Sequence, residues 1–219
     1  MNVKMVLYEA EKIREQLLKD NRVSNFIDKE NERIPEPYLG GKEIKLIIIG
    51  QDPTVRNENS RKNITTVLNL NKENSALFKY INEISTSLNC EIKENVYATN
   101  LLKCFFTVPP ASIKNFVSEQ TGYWLPLLRE EIAAYPNAKI ITLGEPVFQT
   151  LVSSGFKKVN KYWAYCGNTT AIVNNFSYCK DEDNKLNRTI FPFPHQPTWK
   201  RNKFYGNYFS GYAQYAARQ

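Results

Sequence analysis

The run Leu46-Ile-Ile-Ile-Gly50 constrains this chain more than any other segment, because four consecutive apolar residues leave no polar face for water. Such a strand suits a parallel sheet covered on both faces. It stops at Gly50, and Gln51-Asp52-Pro53 follows. A carboxylate fixed by a proline at the C-terminal end of a buried strand stands where α/β sheets build their ligand crevices. Asp-Pro is also an ordinary turn opening, since proline presets its own φ and aspartate bonds its local backbone. Asp52 is a candidate for chemistry, and the rest of the chain must decide between the two readings.

Three more segments repeat the design. NVYATNLLKCFF (Asn95 to Phe106) reads as a second buried strand. KIITLG (Lys139 to Gly144) reads as a third and again stops at a glycine. RTIFPFPHQPTW (Arg188 to Trp199) reads as a last strand leading into a loop with His195. Between them lie helical patterns. Leu7 to Leu18 alternates apolar and charged residues, Leu77, Ile81, Ile84 and Leu88 share one face after a possible Ser75 cap, and Ser118 to Ala138 reads as a helix with Pro126 near its start. A short helix over Glu145 to Val152 and a final helix through Tyr212 complete the pattern. RIPEPYLG (Arg33 to Gly40) is expected to be an extended connector, ITTVLNL (Ile64 to Leu70) strand or loop, and TAIVNNF (Thr170 to Phe176) a β-segment. Strands alternating with helices imply a three-layer α/β/α sandwich with a central, mainly parallel sheet of about four strands. A single domain is expected over residues 1–219, with residues 1–43 packed on it as a helical segment and connector.

Charge and cysteine usage narrow the function classes. The 29 basic and 22 acidic residues give a formal charge of +7, which favours a polyanionic partner such as nucleic acid. No apolar run approaches a membrane span, and the N-terminus is charged and helix-patterned, unlike a signal peptide, so a cytoplasmic protein without membrane contact is expected. Cys90, Cys104, Cys166 and Cys179 include no CxxC pair, and there is one histidine. No metal and no other cofactor are expected. A monomer is expected.

Asp52, Asn100 and His195 each follow a strand, and in a parallel sheet such ends lie along one edge, so an acid, an amide and an imidazole can converge. This arrangement resembles the uracil-DNA glycosylase superfamily. The family-1 loop GQDPYH, the asparagine-ended recognition strand and the HPSPL loop correspond here to GQDPTV, YATNLL and HQPTW. ENSALFKYINEIST is similar to the serine loop that grips a DNA phosphate, TLGEPV to the strand and turn that touch the backbone, and FYGNYFS to the aromatic-glycine segment after the leucine loop. The order of these segments, covering most of Ile44 to Tyr212, is more specific than any one of them. Two departures stand out. Thr54 and Val55 replace the tyrosine and histidine of GQDPYH, which implies a roomier wall at C5 of the base, and the base-stacking phenylalanine expected near Ile64 or Thr65 is absent. Tyr80, Phe105 and Phe106 are candidate replacements. Cys104 stands where the iron–sulfur families place one cysteine, but its companions are missing, so no cluster is expected.

The resemblance implies a monofunctional DNA glycosylase that flips a pyrimidine out of DNA and hydrolyses its N-glycosidic bond. Asp52 would oppose sugar charge and orient or deprotonate water, and His195 would hydrogen-bond the base O2. Asn100 would read the polar base edge, with Gln51 and Thr54 lining the pocket. Ser75, Ser112 and the Gly144 turn are candidate phosphate contacts, each with capping or turn formation as its alternative. Trp199 takes the wedge position, with Lys200, Arg201 and Lys203 beside it for phosphates; a core tryptophan in a solvated basic loop is the competing reading. Uracil and a C5-modified pyrimidine remain open as substrates, the first implying repair and the second defence against modified foreign DNA such as that of a phage. A catalytically inactive DNA- or protein-binding module is the alternative class. A nucleotide or small-molecule enzyme is disfavoured by the lack of a GxGxxG or Walker loop.

Overall fold

The structure is a computed structural model that describes residues 2–55, 57–164, 175–196 and 203–219, with side chains in the last stretch from residue 208 onward. Five strands form one sheet: β1 (Tyr38–Leu39), β2 (Leu46–Gly50), β3 (Val96–Asn100), β4 (Lys139–Leu143) and β5 (Ile190–Phe193). Their spatial order is β1-β3-β2-β4-β5. β2, β3, β4 and β5 are mutually parallel, whereas β1 pairs antiparallel with β3. The four parallel strands are those the apolar runs imply. β1 is an addition to the expected four, formed where the proline-broken connector lays Tyr38 opposite Ala98. Two residues are too few to carry a period.

β2 pairs on both sides, and all five of its residues are buried, which is why its sequence shows no polar alternation. Gly50 stands opposite Asn100 and Leu143 opposite Phe193, so the ends of all four parallel strands fall along one edge. The loops that follow them are brought together by that register and not by sequence proximity.

The helices are α1 (Val3–Lys19), α2 (Glu58–Arg61), α3 (Ala76–Ser87), α4 (Ile92–Asn95), α5 (Phe116–Ala133), α6 (Glu145–Leu151), α7 (Val159–Tyr162) and α8 (Lys203–Arg218). They flank the sheet: α1 and α6 pack on α5, and α3 packs on α8. α3 starts where expected, because the Ser75 hydroxyl accepts the Phe78 N–H at 3.0 Å. β5 is tied to its surroundings by the Trp163 indole, which donates to the Pro192 carbonyl at 2.8 Å and stacks on Tyr212 with centroids 4.6 Å apart.

Two local expectations, at Pro126 and at the second strand, need correction, and the Ile64 to Leu70 segment takes the loop alternative. Pro126 lies in the interior of α5 and not near its start. It withholds one intrahelical donor from residue 122, and the apolar face of the helix outweighs that loss. The Ile64 to Leu70 segment is a 3-10 turn over Val67–Asn69, with Leu68 and Asn69 in left-handed conformations at φ 57° and 52°. The second strand ends at Asn100, and Leu101 to Phe106 continue as irregular chain. The expected β-segment at Thr170 to Phe176 falls mostly outside the described residues, as does Cys166. Among the described residues no helix is long and apolar enough to cross a membrane.

Candidate active site

The loops after β2, β4 and β5 enclose a cleft of about 410 Å³ whose lining includes Gln51, Asp52, Thr54, Gly144 and His195. That volume lies in the usual range for small-molecule sites. Gly144 permits the convergence. Its φ of +99° belongs to the region that favours glycine, its N–H donates to Phe193 O at 2.8 Å, and a Cβ there would stand 3.3 Å from the His195 Cβ. His195 is held from the other side, because the buried Tyr80 hydroxyl donates to the carbonyl of Pro194 at 2.9 Å.

Asp52 is fixed at both carboxylate oxygens. Oδ1 accepts the Thr54 N–H at 2.8 Å and Oδ2 accepts the Gln51 side-chain amide at 2.7 Å. Burial disfavours its charge more than these bonds and the Arg61 cation favour it, so the carboxyl is pushed up to about 6. Desolvation by the cleft pushes the imidazole of His195 below its usual value, although the residue as a whole is exposed. At neutral pH the cleft thus holds an ionised, weakly basic carboxylate and a neutral imidazole. Both states suit hydrolysis: the first accepts a proton from water or faces a cationic sugar, and the second donates one N–H to an oxygen gaining charge.

The Asp52 loop is braced by two contacts. Thr54 Oγ1 accepts the Phe106 N–H at 3.0 Å, which joins this loop to the chain beyond β3. Arg61, 3 % exposed, donates to Val55 O at 2.9 Å, to Thr107 O at 2.9 Å and to Asp28 Oδ2 at 3.0 Å. A buried guanidinium with all these acceptors satisfied cross-links three segments that are remote in sequence.

Asn100 is placed differently from the other candidates. It is 1 % exposed, it is not among the residues lining the cleft, and its Oδ1 has no hydrogen-bond partner among the described residues. It lies against Gly50, where a Cβ would collide with Asn100 Oδ1 and stand 2.9 Å from Leu68 Cδ2. Leu68, held in its left-handed turn, lines the cleft beside this point. The candidate amide therefore sits behind the cleft wall with an unsatisfied acceptor.

The wall itself is aliphatic. Val55, Ile64, Leu68 and Leu77 line it, and Tyr80, Phe105 and Phe106 do not. Ser75 and Ser112 are also outside the lining; the first caps α3, and the second donates to Pro109 O at 2.7 Å. Trp199, Lys200 and Arg201 lie outside the described residues, and Lys203 opens α8.

Sequence reading missed Leu68, Leu77 and Arg61 as parts of the site, and none of them leaves a signal of that role in the sequence. Among the described residues no group of three or more His, Cys, Asp or Glu is placed to hold a metal, and Cys104 is a buried thiol pushed up to about 12 by desolvation.

Comparison with known proteins agrees with the geometry. A search of curated proteins returns no match. The family model for the uracil DNA glycosylase superfamily matches residues 37–216, which takes in all five strands and the helices from α2 onward except the last two residues of α8. This chain, with its strand-end carboxylate and imidazole gathered at one sheet edge, belongs to the uracil DNA glycosylase superfamily.

Proposed function

We propose that the protein is a monofunctional DNA glycosylase that draws a pyrimidine nucleotide out of the helix and hydrolyses its N-glycosidic bond, leaving an abasic site. The observation that carries this reading is the meeting of Asp52 and His195 in one cleft of a superfamily member. Asp52 orients water at C1′ and opposes the positive charge that develops on the sugar. His195, whose neutral imidazole keeps one N–H, donates to the base oxygen as the departing pyrimidine becomes anionic. The +7 charge supports DNA as the partner, with Lys200, Arg201 and Lys203 meeting phosphates and Trp199 filling the vacated stack. Ser75, Ser112 and Gly144 are secondary candidates for backbone contact.

The substrate falls between uracil and a pyrimidine carrying a C5 group. Thr54 in place of a larger aromatic residue, with Val55, Ile64 and Leu68 as the wall, favours tolerance of a C5 substituent. Free-base mass spectrometry on matched DNAs carrying uracil, thymine, 5-hydroxymethylcytosine or its glucosylated form tests this. Release of a C5-substituted base is expected. Release of uracil alone would make this a repair-type enzyme with a closed pocket.

The reading as a non-catalytic binding module has one observation in its favour, the position of Asn100 behind Leu68 and away from the cleft. DNA retention without base release from any of the four substrates would establish it.

A further inference from the structure

Asn69 is a polar side chain of the cleft that the proposed mechanism does not use, and it lines the same space as Asp52 and His195. Its polar neighbours are already engaged. The Gln51 amide donates to Asp52, Asp52 accepts through both oxygens, and the Thr54 hydroxyl accepts the Phe106 N–H. Asn69 Oδ1, by contrast, is screened from solvent and has no hydrogen-bond partner among the described residues. A desolvated acceptor without a partner costs free energy, which an N–H donor brought in by a ligand recovers.

The turn that carries Asn69 is held in place. Leu68 and Asn69 are both left-handed, at φ 57° and 52°. Asn69 N–H donates to Thr66 O at 3.0 Å, its carbonyl accepts the Lys72 N–H at 2.9 Å, and Val67 N–H donates to Glu36 O at 2.9 Å. These tethers fix the Cα–Cβ bond of Asn69 at the cleft and leave two side-chain torsions for the amide to meet a ligand. Asparagine tolerates a left-handed backbone better than most residues, so a purely conformational role is the competing account. Two observations weigh against it. Leu68 takes the same conformation without that tolerance. A side chain kept for its turn ordinarily bonds its own local backbone, as Asp28 Oδ1 does with the N–H groups of Glu30 and Asn31 at 3.2 Å, and Asn69 Oδ1 does not.

We infer that Asn69 is a specificity-determining residue whose Oδ1 accepts the N–H donor on the polar edge of the flipped pyrimidine: N3–H of a uracil-type ring or the N4 amine of a cytosine-type ring. This rests on the glycosylase reading above. Asn100, outside the cleft lining and behind Leu68, leaves that edge to another group.

The experiment compares wild type with Asn69→Gly, which accepts the left-handed backbone and removes the amide. Single-turnover release is measured from DNA carrying the best substrate and from matched DNA carrying its 2-pyrimidinone analogue, whose edge has no N–H. Wild type is expected to favour the intact edge, and Asn69→Gly to lower that preference about tenfold or more. The leaving-group difference between the two bases is common to both proteins and cancels. An equal preference in the two proteins overturns the inference and leaves Asn69 a turn residue. Should Asn69→Gly fail to fold, the Asn69 side-chain NH2 resonances of wild type are compared with each DNA bound; different shifts are expected, and identical shifts overturn the inference. A wild type that releases no base overturns the glycosylase reading. Edge recognition is then read from equilibrium binding of the same two DNAs: a preference for the intact edge that Asn69→Gly loses is expected, and equal binding of both by wild type overturns it.

Discussion

Gly50 and Asn100 end neighbouring strands in direct register, and the Asn100 side-chain oxygen occupies the space a methyl group on residue 50 would need. Leu68 closes the same space from the cleft side. Gly50→Ala must therefore displace two packed side-chain ends, the buried Asn100 amide oxygen and a Leu68 methyl. A destabilisation of about 1–3 kcal/mol is expected from overpacking, measured by denaturant unfolding, together with a loss of base release greater than the stability change explains.

The acid limb of the rate profile should belong to Asp52. Its carboxyl is pushed up to about 6, so the rate of base release should rise as pH climbs through about 6 and flatten above it. His195, lowered by desolvation at the cleft, charges only at lower pH and deepens the same limb. Stability has the opposite sign. The native carboxyl holds its proton more tightly than the unfolded one, so its contribution is present below the unfolded value and is lost as pH rises to about 6. Asp52→Asn should flatten this part of the stability curve, read by thermal unfolding across pH.

Leu68→Ala removes the aliphatic group between the cleft and Asn100. The ratio of release rates for a C5-substituted pyrimidine over uracil should rise by about tenfold or more, since a few methylenes of pocket wall are worth about 1–3 kcal/mol each way. Competition between the two substrates in one reaction reads that ratio without interference from enzyme concentration. An unchanged ratio would remove Leu68 from the specificity wall.

The positions differ in how legible they were. Asp52 and His195 could be found because each follows an apolar run that only a buried strand explains, and parallel strands must end along one edge. Asn100 followed the same rule, yet its burial behind Leu68 depends on a left-handed turn at Leu68 and Asn69 that no glycine announces. β1 was hidden by its length. Pro126 marks a helix start by preference, and tertiary packing of the α5 face overrode that preference. Arg61 looked like any surface arginine, because its acceptors come from Asp28, Val55 and Thr107, which only the fold brings together.

Neutralising Lys200, Arg201 and Lys203 one at a time should weaken DNA retention uniformly across sequences. Each change should reduce the slope of log affinity against log salt by about 1 if that side chain meets a phosphate. Trp199→Ala, by contrast, should lower base release more than retention, since a wedge acts on the flipped state.

Whether Asp52 performs chemistry at a glycosidic bond is read by comparing single-turnover base release by wild type and Asp52→Asn on the best substrate, with DNA retention measured in parallel. A fall in rate of about 10²–10⁴ with retention unchanged is the predicted result. Equal rates in the two proteins would contradict the account, because the carboxylate would then be only the turn-former that its Asp-Pro sequence also allows.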